Sequence, residues 1–409
     1  MDFIDDKIAE RLGGRNFGKS TTVYKFVRIK QAKQEARASK PFLPLIDMGV
    51  GEPDRPADPR LVAVLAEEAG KPENRWYSDN GIGEFQDAAA GYMDRVYGVK
   101  NLTRANIIHG IGSKPILAML PLCLVNPGEI ALTTFPGYPV TATYTRYLGG
   151  DTYHLPLLPE NQFYPDFSAI PAPVLKKAKL LYINYPNNPT GQVATREFYQ
   201  SVVRFARQNN IFVISDAAYA ALTFDGYQPL SFLAVDGAMD VGVEVHSLSK
   251  AFNMTGWRLA FVAGHPRIIQ AYGTVKDNTD SGQFRAIQKA GIYALQHPEL
   301  TAANCERYSR RHNLLVAALR ELGFAAHKPR GSFYCYVPAP KGTRSGLVFE
   351  NAEAAAEYLI KEALISTVPW DDAGAYLRFS VTFEADGDEA EKRVIAAVRE
   401  RLGRLELVF

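Results

Sequence analysis

The sequence predicts an α/β protein in which a large domain on a mostly parallel sheet is followed by a smaller α+β domain. Three observations carry that expectation. Between about residues 106 and 264, short β-rich apolar runs alternate with helical patterns, as βαβ units require. After about residue 285 long amphipathic helical patterns take over, at 304–322 and 352–362, interleaved with strand patterns at 332–337 and 376–381. The chain is also long enough for two or three cores, with 409 residues, 47% hydrophobic and 22% charged, and so stands far from the composition of a disordered chain.

Taken in order, residues 1–45 lack sheet-like alternation and close on Lys40-Pro-Phe-Leu-Pro44, so an arm that packs elsewhere is expected. The large domain is expected over 46–284 and the small one over 285–409. Strand candidates in the large domain are 107–108, 130–133, 180–184, 211–215, 243–247 and 259–263. The clearest unit runs from 180–184 through the turn chemistry of Tyr185-Pro-Asn-Asn-Pro-Thr-Gly191 to a helix that Thr195 can N-cap, ending near Gln208. Gly110-Ile-Gly-Ser-Lys-Pro115 leads from a strand into an apolar helix, with Pro115 suited to its first position.

Composition excludes several function classes. Lys and Arg number 46 against 44 Asp and Glu, a formal charge of +2 that builds no field for nucleic acid. The basic cluster Arg307, Arg310, Arg311 falls in a helical pattern and is expected to be a solvated face. The longest apolar stretch, residues 115–125, contains two prolines and is short of the about 20 residues a membrane span needs. The start, Met1-Asp-Phe-Ile-Asp-Asp6, is acidic where an export signal is basic, and the three cysteines form no C-x-x-C, so a reducing cytoplasm is expected. Seven histidines show no ligand spacing, and no metal site is expected. No strand is followed by G-x-G-x-x-G, which sets a nicotinamide dehydrogenase aside.

In open α/β sheets ligands bind beyond the carboxyl ends of the strands. Asn188, Asp216, Ser247, Ser249 and Lys250 all stand just after strand runs. Each alone has a bland reading as a turn residue, a cap or a surface lysine. Together they meet the needs of pyridoxal phosphate, which requires a lysine amine, an anion at its ring nitrogen and a phosphate cradle.

Tyr185-Pro-Asn-Asn-Pro-Thr-Gly191, Asp216-Ala-Ala-Tyr219, Ser247-Leu-Ser-Lys250 and Gly256-Trp-Arg258 resemble the motifs of class I/II aminotransferases, pyridoxal-phosphate enzymes of fold type I. The steps of 28, 3, 31, 8 and 120 residues through Asn188, Asp216, Tyr219, Lys250, Arg258 and Arg378 resemble the family's, and the likeness runs from about Tyr24 to the C-terminus. The resemblance implies that Lys250 holds the cofactor covalently and then moves the substrate Cα proton. It implies that Asp216 pairs with the ring nitrogen, that Asn188 and Tyr219 donate to the phenolic oxygen, and that Tyr138, in Phe135-Pro-Gly-Tyr-Pro139, stacks on the ring. Ser113, Lys114, Ser247, Ser249 and Arg258 are the phosphate candidates, the first two at a helix start that favours anions. Arg378 is the fork for the substrate α-carboxylate, on a domain that closes over it, and Gly51 lets backbone approach the same group. Tyr77, in Trp76-Tyr-Ser-Asp-Asn-Gly81, matches a tyrosine that reaches the neighbouring subunit's phosphate, so a homodimer with shared sites is implied, and residues 1–45 are expected to be an arm packing with the small domain and the partner subunit.

Within that family the arm around Thr21-Thr-Val-Tyr24, the loop Gly49-Val-Gly51, Lys114 and Lys276-Asp-Asn-Thr-Asp-Ser281 look most like LL-diaminopimelate aminotransferases, which exchange an amine between LL-2,6-diaminopimelate and 2-oxoglutarate in lysine synthesis. Such a substrate has a second amino-acid head. Asp79 is the acidic candidate for its ammonium, with Tyr24 and Lys114 as donors to its carboxylate. The pattern departs from plant-type members, which have a glutamate near Asp79 and an asparagine near Gly282. A general aspartate, aromatic or branched-chain aminotransferase and a pyridoxal-phosphate lyase are the competing enzymes. A non-enzymatic regulator would need a DNA-binding module, for which the first 45 residues are too few.

Overall fold

The computed structural model describes residue 4, residues 7–18 and residues 25–409; Tyr24 and its neighbours Thr21, Thr22 and Val23 lie outside the described residues. Seven strands form the central sheet. Named by their ranges, they run in the order Ile107–Gly110, Ala260–Gly264, Gly242–Ser247, Phe212–Asp216, Ala178–Asn184, Ile130–Phe135, Asp151–Pro156. Ala260–Gly264 is antiparallel to both neighbours and every other pairing is parallel.

Both faces of this sheet are covered, which is why its inner strands read as continuous apolar runs. Successive side chains point to opposite faces. Leu181 and Ile183 therefore enter one core with Phe85, Tyr92 and Val202, whereas Leu180 and Tyr182 enter the other with Ile116, Leu120 and Tyr272. Each fully buried leucine or isoleucine stabilises the fold by about 1.5–3 kcal/mol. Thr195 caps the helix Arg196–Asn209 as its residue type suggests, its Oγ1 accepting from the Phe198 N–H at 3.1 Å. Two elements differ from the sequence reading. The strand Asp151–Pro156 was not anticipated, because as the sheet edge it buries little and reads as polar. The helix Ser113–Leu124 begins two residues before Pro115, which places Ser113 and Lys114 in its first turn.

A second core joins the helices Ala302–Glu321, Ala352–Ala363 and Asp388–Gly403 to a three-stranded antiparallel sheet ordered Val368–Trp370, Tyr376–Ser380, Tyr334–Pro338. Leu315, Phe333, Val337, Leu359, Phe379 and Val398 fill it. The helix Arg285–Gln296 gives Ala294 and Leu295 to the first core, so packing places this segment with the large sheet although it follows residue 284. The helix Lys25–Ser39 lays Ile29, Ala32 and Ala36 on Ile360 and Leu364, and residues 46–47 pair in parallel with 365–366. No helix among the described residues is long and apolar enough to cross a membrane.

The basic cluster on Ala302–Glu321 is not the solvated face expected from its charges. Arg311 is fully buried: Nη2 pairs with Asp54 at 3.0 Å, Nε with Glu391 at 2.9 Å, and Nη1 donates to the carbonyls of Val381 and Phe383 at 2.9 Å each. Arg310 also pairs with Glu391, at 2.8 Å. Removing one partner of such a set strands buried charge. Arg311→Ala should therefore destabilise the protein by about 3–5 kcal/mol, read by urea unfolding, whereas Arg307→Ala, at a half-buried site, should change stability little.

Candidate active site

The strand ends meet at one cleft of about 910 Å³. Asparagines shape its floor. Asn184, ending its strand, donates from Nδ2 to the Asp216 carbonyl at 2.8 Å and accepts the Asn188 N–H on Oδ1 at 2.8 Å. Asn187 Oδ1 accepts from the Thr190 N–H at 3.0 Å and from the Thr190 hydroxyl at 2.8 Å, which fixes the loop. Asn188 Oδ1 then accepts from Arg378 Nη1 at 2.7 Å, which leaves its Nδ2 as the remaining donor toward the cleft.

Asp216 ends the adjacent strand and is buried. Tyr182 donates its hydroxyl to Oδ2 at 2.9 Å and the Ala218 N–H reaches Oδ1 at 3.2 Å. Burial outweighs these donors and the positive field of His246, and pushes the carboxyl up to about 6. Tyr219, three residues on, shares a 3.1 Å hydrogen bond with Tyr334, and burial raises its phenol well above the ordinary value.

Lys250 lies in the short helix after Gly242–Ser247, where the Ser247 Oγ accepts from the Ser249 N–H at 3.2 Å. Its Nζ donates to the Gly51 carbonyl at 2.8 Å. Burial, with the positive fields of Arg258 and Arg378 and against that of Glu52, lowers the amine to about 8. Ser113, Lys114, Ser247, Ser249 and Arg258 all line the cleft. Arg258 Nη1 reaches Ser249 Oγ at 3.4 Å, and its guanidinium lies so close over Gly112 that an added Cβ there would stand 2.0 Å from Nη2. An added Cβ there would push the guanidinium aside, and the φ of +82° favours glycine on its own account. Tyr138 lines the cleft with the Lys114 amine 5.8 Å from its ring centre.

Arg378 comes from the second core. Its guanidinium lies 4.0 Å over the Tyr334 ring, Nη2 donates to the Gly49 carbonyl at 3.2 Å, and Nε is buried without a hydrogen bond. Gly51 faces the same ring, where an added Cβ would stand 2.9 Å from the Tyr334 hydroxyl. Tyr77 and Asp79 are not brought into this cleft. Tyr77 is 79% exposed on the surface, and Asp79 is exposed with a φ of +40°.

Sequence reasoning missed Tyr182 and Tyr334, the side chains that support Asp216 and Arg378. Tyr182 carried a faint signal, a lone phenol inside an aliphatic strand. Tyr334 carried none, because its meeting with Arg378 depends on the tertiary fold. Glu52, Arg146, His154 and Asp372 also line the cleft unannounced. No cluster of metal-ligating side chains occurs among the described residues.

The site fits pyridoxal phosphate on its own chemistry. A buried carboxylate that burial holds half-protonated near pH 6 is matched to a cationic ring nitrogen, a wall of hydroxyls and one guanidinium at a helix start is matched to a phosphate, and a lysine amine with a depressed pKa stands between them. Comparison with known proteins decides the family, since residues 44–398 match the aminotransferases of class I and II.

The chain belongs to that family. LL-diaminopimelate aminotransferase of Methanocaldococcus jannaschii is 54% identical over 100% of this chain and 99% of its own. That of Moorella thermoacetica is 40% identical over 94% and 97%. Among solved structures, substrate-bound BacF from Bacillus subtilis superposes with a TM-score of 0.87 at 33% identity over 100% and 99%, and a Thermus thermophilus aspartate aminotransferase double mutant with 0.83 at 26% over 96% and 99%. The fold is fold type I, and the enzyme is a pyridoxal-phosphate-dependent transaminase.

The raised pKa of Asp216 has a consequence for the apoenzyme. The unfolded chain ionises this carboxyl above about 3.8 and the folded one only above about 6, so folding stability falls as pH rises between those values and stays reduced above. Asp216→Asn should therefore stabilise the apoenzyme at pH 7.5 by of the order of 2–3 kcal/mol, with the advantage fading below about pH 4. Urea unfolding at both pH values measures it, while turnover of the cofactor-loaded variant should fall by orders of magnitude.

Proposed function

We propose that this transaminase moves an amino group between LL-2,6-diaminopimelate and 2-oxoglutarate, in lysine synthesis. The carrying observation is the 54% identity, over the whole chain, to an enzyme named for that substrate. Bound in the cleft, pyridoxal phosphate supplies an electrophilic carbon and a ring that accepts electron density from the substrate Cα. Lys250 would anchor it, Asp216 would face its ring nitrogen, and Ser113, Ser247, Ser249 and Arg258 would hold its phosphate, with Lys114 beside them. Asn188 Nδ2 and the Tyr219 hydroxyl would donate to the phenolic oxygen, and Tyr138 would cover one face.

The remaining work falls to side chains whose places are known. Arg378 exchanges the neutral oxygens of Asn188 and Gly49 for a substrate carboxylate, a charge-assisted and bidentate pairing that sets the amino acid's orientation. The Lys250 amine, lowered to about 8 in the empty cleft, would take the substrate Cα proton at Nζ and give it up again within the same half-reaction, and the second half-reaction would run that transfer in reverse. Closure over the cleft of the second core, which carries Arg378, would exclude water.

The functional unit in this reading is a homodimer. Tyr77, Trp76 and Phe284 are 79%, 57% and 44% exposed, and Arg285 Nη2 donates to the Tyr77 carbonyl at 2.8 Å, so these apolar side chains share one surface that a second copy would cover. From there Tyr77 and Asp79 would reach the neighbour's site, Tyr77 toward the phosphate and Asp79 toward the distal ammonium, with Tyr24 and Lys114 as donors to the distal carboxylate. Three free cysteines accord with a reducing cytoplasm.

The substrate is tested by adding amino acids singly to the cofactor-loaded enzyme and following its absorbance. LL-diaminopimelate should convert the cofactor to its aminated form; conversion by aspartate or phenylalanine but not by LL-diaminopimelate would overturn the assignment. Asp79→Ala should raise the KM for LL-diaminopimelate about tenfold or more and that for glutamate little, because only the longer substrate has a second ammonium. Mixing Tyr77→Phe chains with Lys250→Ala chains should give activity above either parent, since one hybrid site is intact; an active monomer in sedimentation would refute shared sites.

A further inference from the structure

We propose that Gln283 is a positioning residue for the phosphate cradle, pinning the backbone of Arg258 through its side chain and tying that point to the loop of Tyr77 and Asp79 through its main chain. The inference rests on the reading that Arg258 holds the cofactor phosphate.

Arg258 has a φ of +56°, in the left-handed region that a residue with a side chain keeps only when its surroundings hold it. That conformation directs the guanidinium across Gly112 and toward Ser249 Oγ. Gln283 is buried, and its Nε2 donates to the carbonyls of Trp257 and Arg258 at 2.6 and 2.7 Å. Because both partners are acceptors, the amide can stand only one way round, and it does so with Oε1 buried and without a hydrogen bond. Both donors are thus committed to the peptide that precedes the arginine and to the arginine itself.

The main chain of Gln283 faces the other way. Its N–H donates to Ser78 Oγ at 3.1 Å and its carbonyl accepts from the same hydroxyl at 2.7 Å, while Gln288 Nε2 donates to both oxygens at 2.8 and 2.9 Å. The Ser78 hydroxyl is thereby saturated, with one donor bond and two acceptor bonds. The next turn of the loop is held as firmly. Asp79 N–H donates to the Ser281 carbonyl at 3.2 Å, and the buried Lys276 Nζ donates to the Asp79 carbonyl at 2.6 Å and to Asp280 Oδ1 at 2.5 Å. Gln283 is the point where this buried network reaches the cradle.

The test compares apoenzymes titrated with pyridoxal phosphate and with pyridoxal, which lacks the phosphate. Gln283→Met keeps length and burial but loses both donors; Gln283→Glu is isosteric and sets an acceptor against two carbonyls. Each should weaken pyridoxal phosphate binding by about tenfold or more and leave pyridoxal binding within about twofold. In an Arg258→Ala background Gln283→Met should cost no further affinity, since the two act on one contact. Equal losses for both ligands, or no loss for either, would overturn the inference. Unchanged phosphate-dependent affinity in Arg258→Ala alone would overturn instead the assignment of Arg258 on which it rests.

Discussion

A carboxylate buried at the end of a parallel strand is the constraint around which this molecule is arranged. Asp216 loses its water because the sheet is covered on both faces, and what it receives in exchange, one phenol and one N–H, is less than bulk solvent offers. Its rise to about 6 measures the shortfall. The positive field that helps comes from His246, itself held at 2.6 Å by Glu244, which also accepts from Ser231 Oγ and the Phe232 N–H at 2.6 Å each. A second buried carboxylate is thus fully satisfied so that the first can stay under-satisfied. In the proposed reading that difference separates Glu244, a structural group, from Asp216, which would face the cofactor.

The second organising contact crosses between the two cores. Residues 48–51 are held by a basic side chain from each core, Arg378 on the Gly49 carbonyl and Lys250 on the Gly51 carbonyl. The Ser380 N–H on the Met48 carbonyl at 2.6 Å and Thr382 Oγ1 on the Val50 carbonyl at 3.3 Å complete the stitching. Hydrogen bonds to charged donors are worth about 1.5–3 kcal/mol each, enough to hold the loop yet weaker than a bidentate pairing with a carboxylate. In the proposed reading a substrate carboxylate would be a better partner for Arg378 than the ones it holds, with Tyr334 stacked 4.0 Å beneath the guanidinium.

How much of this was legible in the sequence follows from where the information resides. The inner strands could be read because double burial makes them uniformly apolar, and residues just past their ends could be singled out because chemistry concentrates there. The edge strand 151–156 could not, since a half-exposed edge carries no such run. Asn188, Asp216, Tyr219, Lys250 and Arg258 were found from local motifs, and the structure brings them together. Arg311 misled because charge counts as exposed until a tertiary partner is known, and Asp54 lies 257 residues away along the chain. Tyr182, Tyr334 and Gln283 act only through residues distant in sequence, and no spacing rule reaches them.

The proton affinity of Lys250 gathers these features into one quantity. Desolvation lowers it first, and the fields of Arg258 and Arg378 lower it further, while Glu52 opposes them. An anion placed on either arginine offsets part of that positive field, so the amine binds its proton more tightly when the anion sites are filled than when they are empty. In the proposed reading the amine, once released from the cofactor, would act with both anion sites filled and so be a stronger base than in the empty cleft. In that reading Arg258 and Arg378 would hold the two ends of the reacting assembly and, through their fields, tune the base between them.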